Sequence, residues 1–520
     1  MCRFVVKQCV ALIAIAGGVL CAGTTALIYA ADQAASEPAS TKSQMTSEFE
    51  LLKSIDDLNK RVDELETRAL LDKINLGAEI RNRFDWYNYK KDADETLGTE
   101  EIDESVNGLA STQLRLNLRA DISDGLRFTG RLAMYKLWGD STYHDEYNDL
   151  TSAREPTDTS FLVERAYVDC FFNVWKIPVA FTFGRLPLDD GLPTDLREDG
   201  PRKSTFPSLA WDFTADAIAL TVGLEKLLYL PGSNIKLLYT DWITDNESAP
   251  YRELSEYGYD YPTSSPIYAV QLETGLPGLD DTIFMVDFLY APSVQLLDSA
   301  VEYFRTSMEQ TIKDRLAASF GTTYPVDVSI TNIDAPNSLG SIEKLAVFTE
   351  SKNFLGSWVD WFGGFCWEKS KANGQVLMSY IYETQSPLNP TTKIVNGPYT
   401  YATGLLSTSG EEDQNARAYH AGLRLNLPFK VLNYPKLGFE YNHASEHWYG
   451  YTSASEDPLH KLEERGSVYD AYYIQPITRY FKTRVGYTLV KRDYEANPFG
   501  DPIEDESTIS NMYILLDVRF

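Results

Sequence analysis

Ile74, Leu76, Ala78, Ile80, Phe84 and Trp86 alternate with Asn75, Gly77, Glu79, Arg81, Arg83 and Asp85. A β-strand sends successive side chains to opposite faces, so this segment has one apolar and one polar face. The pattern recurs as Leu114, Leu116, Leu118, Ala120 and Ile122 against Gln113, Arg115, Asn117, Arg119 and Asp121. Beyond a turn signal at Ser123, Asp124 and Gly125, Phe128, Leu132 and Met134 interleave with Arg127, Thr129 and Arg131. Alternation alone fits any half-buried strand. These segments run to about ten residues or more, the length a tilted strand needs to cross a bilayer. Short connections at 123–125, 174–176, 428–434 and 476–479 alternate with long polar ones at 90–110, 139–160, 186–212, 244–265, 387–415, 448–466 and 494–507. Such asymmetry belongs to antiparallel transmembrane β-barrels. Seventeen strand-like segments are visible, and the alternation breaks between Tyr290 and Lys344. A strand around Val326, Val328 and Ile330 restores it. The expected fold is an all-β barrel over 73–520 with about eighteen strands, sixteen being the alternative.

Composition agrees. The chain has 520 residues and 47 Lys and Arg against 75 Asp and Glu, for a formal charge of −28. That acidity argues against nucleic acid, which needs a basic surface. With 33 Tyr and 13 % aromatic residues, it is no acidic disordered tail either. Cys2, Cys9 and Cys21 lie in the first thirty-one residues, and only Cys170 and Cys366 follow. Two cysteines make no disulfide framework.

The N-terminal segment reads as an export signal over 1–31. Arg3 and Lys7 are basic, Val10 to Ile28 is uncharged, and small residues Ala30 and Ala31 follow. After a linker over 32–46, Leu51, Ile55, Leu58, Val62 and Leu65 fall four, three, four and three residues apart. That is a coiled-coil seam, expected as a helix over 47–71 on the periplasmic side. Ile55 and Val62 at one seam position with Leu at the other favour parallel dimers, so a homo-oligomer through this helix is expected.

At the other end Met512, Ile514, Leu516, Val518 and Phe520 alternate with Asn511, Tyr513, Leu515, Asp517 and Arg519. An apolar every-second-residue strand with a final Phe resembles the assembly signal of Gram-negative outer-membrane barrels, carried here by Leu516, Val518 and Phe520. It implies the barrel assembly machinery as a partner. One stretch breaks the pattern. Leu297, Val301, Phe304, Met308, Ile312 and Leu316 recur every three or four residues, which predicts an amphipathic helical insertion near 294–319.

Four stretches taken together resemble a domain-of-unknown-function family of outer-membrane porin-like proteins with an N-terminal coiled coil. They are Glu164-Arg165-Ala166-Tyr167-Val168-Asp169, Phe183-Gly184-Arg185-Leu186-Pro187, Gly438-Phe439-Glu440-Tyr441-Asn442-His443, and Lys461 to Gly466. The resemblance implies a barrel and a pore. It implies no solute and no catalytic residue.

The chemistry-bearing residues point the same way. His443 and His447 are four apart, which suits a metal on a helix but separates them by about 13 Å along a strand. There is no Cys-x-x-Cys-His and no Gly-x-Ser-x-Gly, and no cofactor or enzyme activity is expected. The polar face is rich in Arg81, Arg83, Arg115, Arg119, Arg127, Arg131 and Arg165, with Asp169 and Glu440 among its acids. Basic residues lining a pore favour anions, unless they pair with acids across strands. Asp189, Asp190, Asp195, Arg197 and Arg202 lie in the third long connection and have the mixed charge expected of a segment folded into a lumen. These residues predict a Gram-negative outer-membrane porin for small polar or anionic solutes, in contact with lipid and lipopolysaccharide. Two other functions fit the same residues: an envelope tether whose coiled coil holds the cell wall or a periplasmic partner, and a sheath for an electron-transfer partner.

Overall fold

The computed structural model describes residues 74–91, 93, 101–138, 161–243, 264–279, 281–294, 306, 308–310, 312–313, 328–334, 338–374, 377–386, 389–402, 405–407, 410–450, 457–495 and 500–520. The expected signal and the coiled-coil seam lie outside them.

Sixteen strands close into one antiparallel barrel. In chain order they begin β1 (Ile74–Lys91), β2 (Ile102–Ser123), β3 (Leu126–Leu137), β4 (Leu162–Val174) and β5 (Ile177–Leu186). Next come β6 (Ala215–Gly223), β7 (Asn234–Ile243), β8 (Ser264–Gly275) and β9 (Thr282–Val294). The wall resumes with β11 (Gly340–Asn353), β12 (Val359–Ala372), β15 (Gln414–Asn426) and β16 (Lys436–Ala444). It ends with β17 (Arg465–Pro476), β18 (Phe481–Tyr494) and β19 (Glu504–Arg519). β19 pairs with β1 from Glu79↔Arg519 to Lys91↔Ser507. Phe520 extends that seam, exchanging backbone hydrogen bonds with Ala78 at 2.8 and 3.0 Å.

The expected eighteen strands are therefore sixteen, for a reason of pairing. β9 bonds directly to β11, and β12 directly to β15. The stretches between them turn to each other. β10 (Val328–Asp334), β13 (Leu377–Ser386) and β14 (Asn389–Ala402) form a separate three-stranded sheet, with Val328 opposite Thr384. Their alternation is real, but it serves a small sheet and not the wall. Within the predicted insertion, Thr306, Met308, Glu309, Gln310, Ile312 and Lys313 are helical. The Glu309 carboxylate accepts the Ile330 backbone N–H at 2.8 Å, which ties this helix to β10.

The expected long connection at 90–110 is mostly paired strand: Lys90 sits opposite Asp103, and β1 and β2 continue as a two-stranded ribbon. At the opposite end the connections are tight. Trp175 and Lys176 take φ of 48° and 72° between β4 and β5, the left-handed pair that matches strand twist in a two-residue hairpin.

The faces are inverted relative to a water-soluble protein. Antiparallel register places inward residues opposite inward ones, as with Arg81 between Gln113 and Asp517. Outward residues match likewise, as with Ile80 between Leu114 and Val518. On β8, Tyr268, Val270 and Leu272 are exposed while Gln271 between them is fully buried. Exposed aromatics gather at the short-turn end: Phe171, Phe172, Trp175, Tyr229, Trp358, Phe429, Tyr434 and Tyr480. An apolar outer belt bounded by aromatic residues is the surface a bilayer-spanning barrel presents.

Candidate functional site

The segment between β5 and β6 does not stay at the rim. It folds through the lumen and carries one short helix, α1 (Thr194–Glu198). Leu188, Phe206, Leu209, Trp211 and Phe213 are buried in one apolar cluster with Ala217, Ala219, Ala269, Ala346, Cys366, Ala416 and Ala418 of the inner wall. The alanines leave the room that the rings fill, and Trp211 stacks on Phe213 at 4.3 Å between centroids. Leu192 and Leu196 enter a second cluster with Met285, Phe348 and Phe362. Each such side chain contributes about 1.5–3 kcal/mol by leaving water. A second segment, after β16, adds the buried Trp448, whose indole N–H donates to the Leu462 carbonyl at 2.8 Å.

Charged residues of the segment after β5 then reach the wall on nearly every side. Asp189 receives Arg165 of β4 at 3.2 Å. Asp190 meets Lys203 at 3.2 Å, and its backbone N–H donates to Asp212 at 2.6 Å. Asp195 pairs with Lys352 of β11. Arg197 lies 3.3 Å from Glu440 of β16, a carboxylate also 3.5 Å from His420 and 3.7 Å from Lys461. Arg202 forks onto Glu273 of β8, with both contacts at 2.9 Å. Four of these five predicted constriction residues thus reach four separate wall strands, β4, β11, β16 and β8, while Asp190 ties the segment to itself, which makes it a strut across the lumen.

Two contact residues of the strut, Glu198 and Asp199, and Lys482 of β18 stood outside that predicted set. Glu198 accepts two hydrogen bonds from Arg81, at 2.9 and 2.7 Å, and lies 2.7 Å from Lys203 and 3.1 Å from Arg519. Asp199 pairs with Lys436 and lies 3.2 Å from Arg424. Lys482 donates to the Glu198 and Asp199 carbonyls. Alternation places Arg424, Lys436 and Lys482 on the inner face. It does not say that the acids meeting them arrive from a connection more than two hundred residues away.

Burial alone would raise the Glu198 carboxyl, but Arg81, Lys203 and Arg519 outweigh it and hold it well below the usual range. Asp212 goes the other way. Burial pushes it well above the usual range, and the neighbouring carboxylates Asp190 and Asp189 add to the shift.

Most predicted wall arginines have acid partners. Arg115 forks onto Glu164 at 2.8 and 2.7 Å. A register shift between Arg131 and Leu132 lets both Glu164 and Arg165 turn inward. Arg131 donates to Asn117 at 2.6 Å and lies 3.4 Å from Glu164 and 3.5 Å from Glu79. Arg127 and Arg119 share Asp121, at 2.6 and 3.6 Å, and both stay partly exposed. Asp169 accepts the Thr182 hydroxyl at 2.7 Å. Pairing across strands, the alternative to a free basic lining, is therefore what the wall arginines mostly do. Leu516, Val518 and Phe520 sit on the outer side of the closing strand, and Phe520 is 70 % exposed.

Cys366 is buried in the lumen and Cys170 half-buried, both as free thiols. His443 meets the Ser467 hydroxyl at 3.2 Å, and His447 meets Glu446. Among the described residues no group of three or more His, Cys, Asp or Glu is placed to hold a metal.

A closed, inverted, sixteen-stranded antiparallel wall with a strut folded through its lumen defines a porin-like β-barrel. The chain belongs to the DUF3373 family, described as proteins of unknown function, whose match spans residues 103–518. No curated protein matches it. Among solved structures, Salmonella typhi OmpF in complex with daunomycin is similar at 9 % identity and a TM-score of 0.42, over 86 % of this chain and 97 % of that one.

Proposed function

We propose that this barrel is a passive diffusion channel of a Gram-negative outer membrane, passing small polar and anionic solutes past the strut that crosses its lumen. The reading is carried by the uneven filling of the interior. From β6 to β15 the strut packs on alanines of the inner wall. Along β1 to β3 the inner side chains are mostly polar, and Arg119, Arg127 and Tyr135 keep 51 %, 34 % and 41 % of their surface accessible. A polar strip left open beside an apolar filling is where water and solutes pass. Because most arginines there end on carboxylates, the preference for anions is modest. The short-turn end with its aromatic residues is the periplasmic end in this reading, and the expected helix over 47–71 joins copies of the chain. Reversal potentials of the purified protein across a salt gradient test the proposal: a mild anion preference is expected, and a clear cation preference would overturn that part.

A further inference from the structure

An open cavity of about 350 Å³ lies against β1, β2 and β3 beside the strut. Arg83, Arg484 and Gln113 supply its polar side, and Leu109, Tyr135 and Leu137 its apolar side. Arg81 also lines it but is engaged by Glu198 and Asp517, whereas Arg83 and Arg484 are not fully matched by acids. Arg83 engages Asp85 through Nε alone, at 2.8 and 2.9 Å, so its two terminal nitrogens have no partner among the described residues. Arg484 has no carboxylate partner among them. Its Nη1 donates to the Arg197 carbonyl at 2.8 Å, and its Nε is buried without a hydrogen bond. Arg484 is only 7 % exposed. The two guanidiniums lie 4.3 and 5.4 Å from the centre of the same Tyr513 ring. Gly486 makes room for that ring, since a Cβ there would fall 2.3 Å from it.

A buried guanidinium short of an acceptor is costly until an anion meets it, and its fork fits a carboxylate. We propose that this cavity is a binding site for small organic monocarboxylates, with the carboxylate held by Arg83 and Arg484 and the apolar body resting on Leu109, Tyr135 and Leu137. The apolar half argues for an organic body, which inorganic phosphate lacks. Asp85 in the same lining disfavours a dianion by like-charge repulsion. The proposal rests on the channel reading only for the route by which the solute arrives.

The test is calorimetric titration of the folded full chain in detergent with benzoate, benzyl alcohol and inorganic phosphate, paired with benzoate block of current in planar bilayers. Benzoate is expected to bind, benzyl alcohol and phosphate to bind at least about tenfold more weakly, and Arg83→Gln with Arg484→Gln to cost benzoate about tenfold or more. Heat-modifiable mobility on gels reports that the variants fold. If the double variant does not fold, Arg484→Lys, which keeps the charge and loses the fork, is expected to weaken benzoate alone. Equal binding of phosphate, or benzoate binding unchanged by these substitutions, overturns the site. So does an absence of benzoate binding. A protein that binds benzoate through both arginines but passes no current keeps the site and removes the channel reading.

Discussion

Glu198 shows how one side chain can fix a long segment. It sits in the only helical turn of the strut and gathers Arg81 of β1, Arg519 of β19 and Lys203. Breaking a buried ion pair from one side costs roughly 3–5 kcal/mol, because the remaining charges stay unpaired in a dry place. Glu198→Ala is therefore expected to lower the unfolding temperature in heat-modifiability gels and to enlarge or destabilise the open current. An unchanged unfolding temperature would contradict the anchoring role. Asp212 predicts a pH dependence of opposite sign. Burial, with Asp190 and Asp189 near, pushes its carboxyl well above the usual carboxylate range. A raised folded-state value gives stability that is complete below the unfolded value and lost as pH rises through the folded one. The strut is thus expected to loosen toward high pH, and Asp212→Asn to flatten that loss of thermal stability. If the variant keeps the full decline, Asp212 is not its source. Glu198 contributes in the other window, since its stabilisation persists above 4.5 and fades only well below it. The charges themselves were readable from the sequence as a mixed-sign connection. Which of them meet was not, because ion pairs across a lumen follow from the closure of the whole wall and have no local period.

At the scale of elements, period two gave the wall strands and their inward faces, from Arg81 on β1 to Asp517 on β19. It miscounted them because β10 and β13 alternate too while pairing with each other in a separate sheet. Pairing partners are non-local, so no strand-by-strand reading separates the two cases. The strut was legible only in part. Its acids and bases suggested an infolded segment, while Leu188, Phe206, Leu209, Trp211 and Phe213 went unused. Their complement was present in the alanines at 217, 219, 416 and 418, inward positions too small for a wall that faces only water. Trp211→Ala is expected to destabilise the strut by about 3–5 kcal/mol, the usual loss for a buried Trp. Increased labelling of a cysteine placed at Ser208 would report it, and labelling equal to the parent's would argue that the ring holds nothing. The outer face predicts the reverse chemistry. Val270→Arg on the exposed side of β8 is expected to cost up to about 2–4 kcal/mol in a bilayer, depending on depth. Its effect on refolding into lipid vesicles should far exceed its effect in detergent, and equal effects would argue that this face never meets lipid.

For the whole molecule, the closed wall and the family match define a porin-like barrel, while the expected seam at Leu51, Ile55, Leu58, Val62 and Leu65 carries the proposal that copies associate. Removing residues 47–71 is expected to leave conduction intact and to lower the oligomeric state. Envelope detachment with normal current would favour the tether instead. The formal charge of −28 describes mainly connections and rims, and the lumen mixes paired arginines with Arg83 and Arg484, which have no full set of acid partners among the described residues. Current through single purified barrels in a planar bilayer under a potassium chloride gradient tests the central claim most directly. The account predicts discrete conductance steps with a reversal potential displaced modestly toward that of chloride; folded barrels that give no steps, or steps reversing near the potassium potential, would contradict it.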